Sequence, residues 1–582
     1  MNYHQHTRPS LTTGDDHLGH GDGRHVHLTP FTRLYLLLRP EFKDIAIVAI
    51  FAIVVATLGL ATPLAVEALV NTVAFGRLLQ PLIVLCVILF AFLGFAAVLR
   101  SLQAYIAEIM QRRLFVRVVA DLANRLPRVQ KSALDQCHGP ELMNRFFDVM
   151  TVQKSASLLV LDGITIVLMT FVGMILLGFY HPLLLGFDML LLISMGTIVF
   201  WLGRGAVPTA IQESVAKYDV AAWLEQLAQY PITFKSGNGL RNAVEMADQL
   251  TSEYVKARRR HFRVLMRQIL FSLGLQAVAG SLLLGLGGWL VINGKLTLGQ
   301  LVAAELVVAV IVGSFAKLGK HLESFYDLLA AVNKLGHLFD LPIERSGGNE
   351  LPDSHQGTAV KVCGASFQFS ASRAVIPETT LSIEPGEMIA LVGPPGAGKS
   401  TLLDLLFGLR EPENGHILLD EADLRSLELG SLRQQVRLVR GLEIISGTIS
   451  QNLHFDGQRT PAEVRSSLKA LGLFEELMRL PDGLGTILQP DGSPLTESQV
   501  RRLMLARAVL ARPRLLLIDQ LLDGLADELL PKVMMALEQL RPACTIVIVT
   551  GRREVAEPCD RVHTVGPSPQ DEPNTFPLSM AS

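Results

Sequence analysis

The stretch Gly393-Pro-Pro-Gly-Ala-Gly-Lys-Ser400, followed by Thr401, decides the fold of the C-terminal part of this chain. It has the spacing G-x-x-x-x-G-K-[ST] of a phosphate-binding loop, in which backbone N–H groups surround phosphate oxygens. The apolar run Glu387–Val392 before it predicts a buried strand, and Ser400–Phe407 predicts the start of a helix. Because a helix N-terminus favours anions, this arrangement predicts an α/β nucleotide-binding domain.

Within that loop, Lys399 is expected to reach the β- and γ-phosphates of ATP, and Ser400 is expected to bind Mg²⁺. The predicted phosphate-binding residues are Gly393, Gly396, Gly398, Lys399, Ser400 and Thr401.

The composition indicates a membrane protein. Mean hydropathy is +0.37, and charged residues make up 18% of the 582 residues, below the usual quarter of a soluble protein. The net charge of −2 gives no reason to expect a nucleic-acid partner. The five cysteines include no C-x-x-C pair, so neither a disulfide framework nor a zinc site is expected.

Six apolar segments predict a polytopic α-helical membrane domain, because each is close to the length that a bilayer requires. The segments are Ile45–Val66, Leu82–Leu99, Leu158–Leu177, Leu183–Leu202, Ile269–Ile292 and Leu298–Phe315. The two long polar stretches between them are rich in Lys and Arg, whereas the short links hold only Arg77 and Lys295. This asymmetry predicts that both termini and the nucleotide-binding domain are cytosolic. We expect an integral protein of the bacterial inner membrane.

These patterns divide the chain into five parts. They are a His-rich tail over 1–28, a six-helix transmembrane domain with long cytosolic extensions over 29–342, a linker over 343–358, the nucleotide-binding domain over 359–565 and a disordered tail over 566–582. The His-rich tail is either a metal-binding tract or a disordered polar tail. We favour disorder, since the spacing of its histidines defines no coordination geometry.

The order of these parts resembles a half-transporter of the ATP-binding cassette (ABC) exporters. Val291–Gln300 and Ser324–Leu329 are most similar to the last span of the type I secretion members. The resemblance implies the type I exporter fold, ATP and Mg²⁺ as ligands, and a homodimer or a heterodimer with a second half-transporter. It also implies that Phe369 stacks on adenine and that Asp519, at the end of Leu515–Ile518, positions Mg²⁺.

The hydrolytic positions depart from the family pattern. The residue after Asp519 is usually a glutamate that acts as general base, whereas Gln520 carries an amide that takes no proton at neutral pH. The switch histidine corresponds to Gly551, and the glutamine of the linking loop corresponds to Arg440. Nearby groups such as Asp523 or Arg552 could substitute for the missing ones, but we expect ATP binding with slow or absent hydrolysis.

The signature of the family, L-S-G-G-Q, is also altered. It corresponds here to Leu495, Thr496, Glu497, Ser498 and Gln499, which would act in trans on the partner's ATP. Glu497 places a carboxylate where backbone should approach a triphosphate, and like charges repel strongly in a dry site.

Two carboxylates lie inside predicted spans. Asp188 and Glu305 either face a cavity that favours a cationic or amine-bearing cargo, or reach the interface or cap a neighbouring helix. The secretion-like last span suggests a polypeptide cargo instead. The sequence therefore leaves both a polypeptide and an amphipathic or cationic molecule open as the exported substrate. Two functions follow: an exporter subunit that couples ATP-driven dimerisation to export, or a non-hydrolysing ATP-binding subunit that regulates or gates a partner.

Overall fold

The computed structural model describes residues 29–75, 79–135, 143–369, 376–455, 457 and 459–566. The chain forms two compact units. One consists of Met1–Pro127 with Cys137–Leu341, and the other of Arg128–Gln136 with Pro342–Ser582. The two predicted tails, except for Gly566, lie outside the described residues.

The first unit is helical. Its α-helices are Pro30–Leu38, Phe42–Gly59, Ala61–Phe75, Leu79–Arg125, Asp148–Leu158, Ile164–Tyr180, Pro182–Gly196, Ala206–Gln229, Pro231–Lys235, Gly239–Ile292 and Leu298–Phe339. Short π-helical turns, Leu159–Gly163 and Thr197–Trp201, continue two of them. The last helix begins with a capping box, in which the Thr297 hydroxyl accepts from Gln300 N and the Gln300 side chain accepts from Thr297 N.

Five helical stretches of the described residues are long and apolar enough to cross a membrane. They are Pro30–Thr72, Gln80–Arg128, Arg145–Tyr180, Pro182–Trp201 and Gly239–Ile292. The sixth predicted segment begins the 42-residue helix Leu298–Phe339, whose described apolar part is Leu298–Gly313. Most of their apolar side chains point away from the unit, as a lipid-facing surface requires.

The second unit combines helices with eleven described strands. The strands are β1 Val360–Phe367, β2 Ile376–Ile383, β3 Met388–Val392, β4 Asn414–Leu419, β5 Ala422–Asp423, β6 Val436–Arg440, β7 Gly447–Thr448, β8 Ile487–Leu488, β9 Leu515–Asp519, β10 Thr545–Val549 and β11 Arg561–Thr564. The helices are Lys131–Asp135, Lys399–Leu406, Leu429–Gln435, Ile449–Leu453, Pro461–Ala470, Phe474–Met478, Glu497–Leu510, Leu530–Glu538 and Arg553–Ala556.

These strands form two larger sheets. The antiparallel sheet has the order β2-β1-β4-β5, and the parallel sheet has the order β11-β3-β10-β9-β6. Strands β9 and β10 are buried at every position and mostly apolar, because helices cover both faces of a parallel sheet. The carboxyl ends of β3, β6, β9 and β10 meet at one edge, which is where ligands bind in open α/β sheets.

Candidate nucleotide-binding site

The phosphate-binding loop joins β3 to the helix Lys399–Leu406. Gly393 has φ of 146°, and a Cβ atom there would lie 2.3 Å from the Val565 carbonyl oxygen, so only glycine fits. Gly398, with φ of 87°, is the N-cap of the helix and turns the chain into it. The loop sequence therefore produces a concave backbone segment followed by a helix N-terminus, which is a geometry that accepts phosphate.

The Lys399 side chain folds back over this loop. Its Nζ donates to the Gly393 carbonyl at 2.7 Å and to the Pro394 carbonyl at 2.9 Å, and the residue is only 8% exposed. The ammonium group thus lies against the loop that would surround the phosphates. Thr401 is buried directly behind Ser400. This arrangement fits ATP.

Asp519 at the end of β9 contacts both Ser400 and Arg440. The Ser400 hydroxyl donates to Asp519 Oδ1 at 3.0 Å, and Arg440 Nε donates to Asp519 Oδ2 at 2.5 Å. β6 and β9 are neighbours in register, and Arg440 is the register partner of Asp519. The residues predicted to hold Mg²⁺ are therefore brought together, but an arginine binds them.

Asp404 completes this cluster and was missed from the sequence. Its Oδ1 accepts from Arg440 Nη1 at 2.7 Å, and its Oδ2 accepts from Arg410 Nε at 3.1 Å. Asp404 lies one helical turn after Ser400, so both share a helix face. The four-residue spacing of Ser400 and Asp404, together with Arg440 at the linking-loop position, could have indicated this cluster from the sequence.

The charge balance of this cluster holds Arg440 in place. Burial works to lower the pKa of the Arg440 guanidinium, but Asp404 and Asp519 raise it by more, so its pKa lies above the ordinary value. The donor set does not fit Mg²⁺, because a fixed cation already contacts the carboxylate and the backbone of Ser400.

Gln520 and Gly551 follow adjacent strand ends. Gln520 is exposed, adopts φ of 53° and donates its backbone N–H to the Val549 carbonyl at 3.0 Å. Gly551 donates its N–H to Asp523 Oδ2 at 2.9 Å, and the Thr550 hydroxyl donates to the other oxygen of that carboxylate. We call this connection the Asp523 bridge.

Arg552, the other group that could replace missing catalytic residues, is engaged as well. It donates to the Leu525 carbonyl at 2.7 Å and forms an ion pair with Asp527. Asp523 and Arg552, the two candidate substitutes, thus both stabilise the loops after β9 and β10.

Phe369 follows β1, and its ring, which was predicted to stack on adenine, contacts side chains of the protein. Arg410 is 4.6 Å from the Phe369 ring centroid, and the Phe367 ring meets Phe369 edge-on at 5.1 Å. Phe369 is 42% exposed, so part of the ring remains accessible.

The altered signature lies at the start of the helix Glu497–Leu510. Thr496 is its N-cap and forms a capping box with Gln499, while Glu497 pairs with Arg501. The hydroxyl of Ser498 is buried and has no hydrogen-bond partner within the residues that the structure describes, and Leu495 is buried.

The two intramembrane carboxylates lie among apolar side chains. Asp188 is 1% exposed, and neither of its carboxylate oxygens has a hydrogen-bond partner among the described residues. Glu305 Oε2 is also buried, and it too lacks a partner in the described part of the chain. Phe187 and Ala304, their chain neighbours, belong to one apolar cluster. Among the described residues, Asp188 therefore caps no helix.

Two regions of the chain match models of one protein family. The ABC transporter transmembrane region model matches residues 45–315, and the ABC transporter model matches residues 376–522. The chain belongs to the ABC transporter family. It carries one transmembrane region and one ATP-binding domain, which confirms the predicted exporter half-transporter and the fusion of an α-helical membrane domain to an α/β domain.

Relatives and a solved structure agree with this membership. The exotoxin translocation ATP-binding protein PaxB of Pasteurella aerogenes is 25% identical over 90% of this ABC transporter chain and 74% of that protein. The ATP-dependent lipid A-core flippase of Burkholderia orbicola is 31% identical over 40% of each chain. A bacterial Atm1-family ABC exporter with ATP bound shares the fold, with a TM-score of 0.79 and 19% identity over 91% of this chain and 93% of that chain.

Proposed function

We propose that this ABC exporter subunit binds ATP, dimerises through its nucleotide-binding domain and hydrolyses ATP slowly or not at all. The observation that carries the proposal is the pair of residues at the end of β9, where Asp519 is bonded to Arg440 and the next residue is the amide Gln520. The P-loop geometry around Lys399 supports binding. Loss of a general base costs about 10² to 10⁴ in rate, which supports slow turnover.

The composition of a dimer strengthens this expectation. In the family each ATP lies between the P-loop of one chain and the signature of the other. Two copies of this chain would combine Gln520 with the altered signature at both sites, and an intact partner would leave one altered half in each site. A homodimer would therefore have more altered residues at each ATP site than a heterodimer, but neither dimer would have an intact ATP site.

Gln520→Glu is expected to raise steady-state phosphate release by about 10²-fold or more if the base alone limits the rate. The measurement uses the purified full chain in lipid bilayers. Gln539→Glu, an exposed substitution of the same kind, should leave the rate unchanged. The gain must disappear when Lys399→Ala is added. No gain would mean that Gly551 and Glu497 also prevent hydrolysis.

The second candidate is a non-hydrolysing subunit that regulates or gates a partner. The Asp523 bridge favours it, because Asp523, a candidate substitute for the missing base, already accepts from Thr550 and Gly551. This candidate predicts nucleotide-dependent association of two nucleotide-binding domains without phosphate release. Cross-linking with ATP, beside a phosphate assay, separates it from the exporter.

The chain is an integral membrane protein, and we place it in the bacterial inner membrane with its nucleotide-binding domain and termini in the cytosol. The Lys and Arg content of the long polar stretches supports this orientation. The bacterial relatives support the bacterial membrane, and the toxin translocation protein supports a polypeptide cargo. Proteolysis of the nucleotide-binding domain in inverted but not in right-side-out vesicles is the expected result.

We propose that Asp188 and Glu305 favour a cationic or amine-bearing group of the cargo. A carboxylate buried without a partner is costly in a membrane, so a positively charged ligand would offset that cost. Asp188→Asn combined with Glu305→Gln should weaken binding of a fluorescent lipophilic amine by about tenfold or more, measured by anisotropy. Asp248→Asn, which changes an exposed carboxylate, is the matched control. Equal affinity of both variants would contradict the assignment.

A further inference from the structure

We propose that Arg440 takes the place of Mg²⁺ in this nucleotide site, so that the chain binds ATP without a divalent cation. The inference rests on the proposed ATP binding and concerns the counter-charge of that ATP. The two residues expected to bind the metal, Asp519 and Ser400, are already hydrogen-bonded to the Arg440 guanidinium.

All three nitrogens of the Arg440 guanidinium have acceptors within the cluster. Nε donates to Asp519 at 2.5 Å, Nη1 to Asp404 at 2.7 Å, and Nη2 to the Ser400 carbonyl at 2.8 Å. Asp519 uses its second oxygen to accept from the Ser400 hydroxyl. Mg²⁺ requires near-octahedral oxygen ligands at about 2.0–2.1 Å. The Asp519 carboxylate and the Ser400 hydroxyl would supply those oxygens, but they are already bonded to each other, and the carboxylate is also bonded to Arg440.

Charge leads to the same conclusion. An arginine side chain remains protonated in proteins, so the positive charge that Arg440 places beside Asp519 is permanent. Relative to the family pattern, Gln520 removes one negative charge and Arg440 adds one positive charge. The two changes together equal the charge of one Mg²⁺. A metal ion added beside this guanidinium would be repelled, and repulsion between like charges is strong in a partly buried site.

The guanidinium keeps donors for phosphate. It has five N–H groups, of which the three hydrogen bonds above use three, leaving one on each terminal nitrogen. Its side chain is 31% exposed, so these donors are not sealed in the domain core. Planar guanidinium groups bind phosphate oxygens through paired N–H donors. Arg440 can therefore both neutralise Asp519 and contact the β- and γ-phosphates.

A second arginine fixes the position of the first. Arg410 is 8% exposed in its side chain and donates to the Asp404 oxygen that Arg440 does not use. Arg410 also forms an ion pair with Asp135 of the same unit. Asp404 is therefore held from two sides. This anchoring favours an arginine that stays at the site when the nucleotide arrives.

The test measures binding of fluorescent trinitrophenyl-ATP to the full chain in lipid nanodiscs, in excess EDTA and in millimolar MgCl₂. Wild type is expected to bind equally well in both. Arg440→Gln should lose about 10- to 100-fold in affinity in EDTA and regain it with MgCl₂, as expected for lost charge-assisted hydrogen bonds. Arg440→Lys, which keeps the charge, should lose less in EDTA. Arg425→Gln, an exposed arginine of the same domain, is the control.

A second readout follows Mn²⁺ by electron paramagnetic resonance. Arg440→Gln with ATP should immobilise Mn²⁺, whereas wild type with ATP should not. Wild type that binds nucleotide only with MgCl₂ would overturn the inference and leave the proposed ATP binding intact. Wild type that binds in neither buffer would overturn the proposed function itself. Arg440→Gln that binds in EDTA as wild type does would show that Arg440 is not the counter-charge.

Discussion

Lys399→Ala is expected to weaken ATP binding by at least about tenfold and to bring it below detection at micromolar nucleotide. The ammonium group donates to the Gly393 and Pro394 carbonyls within the loop, so the substitution removes both the phosphate contact and the internal support of the loop. Charge-assisted hydrogen bonds contribute about 1.5–3 kcal/mol, which is about a 10- to 150-fold change in affinity. Equilibrium binding of labelled ATP to the full chain measures the effect.

The control is Lys361→Ala, which removes an exposed lysine on β1 of the same domain. It should leave the affinity unchanged. If Lys399→Ala binds ATP as tightly as wild type while its thermal unfolding is also unchanged, the nucleotide site lies elsewhere. A fall in unfolding temperature together with lost binding would call for Lys399→Met, which keeps most of the side-chain volume.

Arg514→Met is expected to destabilise the nucleotide-binding domain by about 3 kcal/mol or more. Arg514 is 7% exposed and donates to the carbonyls of Pro352 and Gln356, to the Gln435 side chain and to Asp420. Removing the guanidinium leaves these acceptors without their donor, and unsatisfied buried polar groups are costly. For a domain of this size the unfolding temperature should fall by about 6–12 °C.

Calorimetry of the full chain in nanodiscs measures this fall, and hydrogen exchange reports on the segment 352–356. Its backbone amides should exchange faster in Arg514→Met. Arg512→Met, two residues earlier, is the matched control, because Arg512 is 73% exposed and pairs only with Glu463 among the contacts of the described residues. Its effect should stay within about 1 kcal/mol. Equal unfolding temperatures for the two variants would contradict the anchoring role of Arg514.

Local sequence patterns predicted most of the architecture. Hydropathy located the membrane segments because a bilayer requires long apolar helices regardless of tertiary contacts. The P-loop and the strands around it were predictable because glycine spacing and short apolar runs act locally. The last helix was different. It continues from Leu298 to Phe339, beyond the apolar segment, because helix continuity depends on the absence of breakers rather than on hydropathy.

The contacts of the site were less predictable. The resemblance to the exporters placed Arg440 at the linking-loop position, but its pairing with Asp404 depends on the end of β6 meeting the helix Lys399–Leu406 in the folded domain. The Asp523 bridge also joins residues that are 27 and 28 positions apart. The resemblance to the exporters also assigned Phe369, whereas the contact of its ring with Arg410 requires the folded domain. Such long-range polar pairs leave no periodic signal in the sequence.

The Asp523 bridge has a thermodynamic consequence for any response to nucleotide. Its hydrogen bonds to Thr550 and Gly551 are internal to the chain and require no phosphate. A loop that is already ordered loses little conformational entropy when a ligand arrives. A ligand shifts a conformational equilibrium only by the difference in its affinity for the two states. The loop after β10 therefore contributes little to that difference, and we expect the coupling to depend on the other nucleotide contacts, among them the P-loop and Arg440.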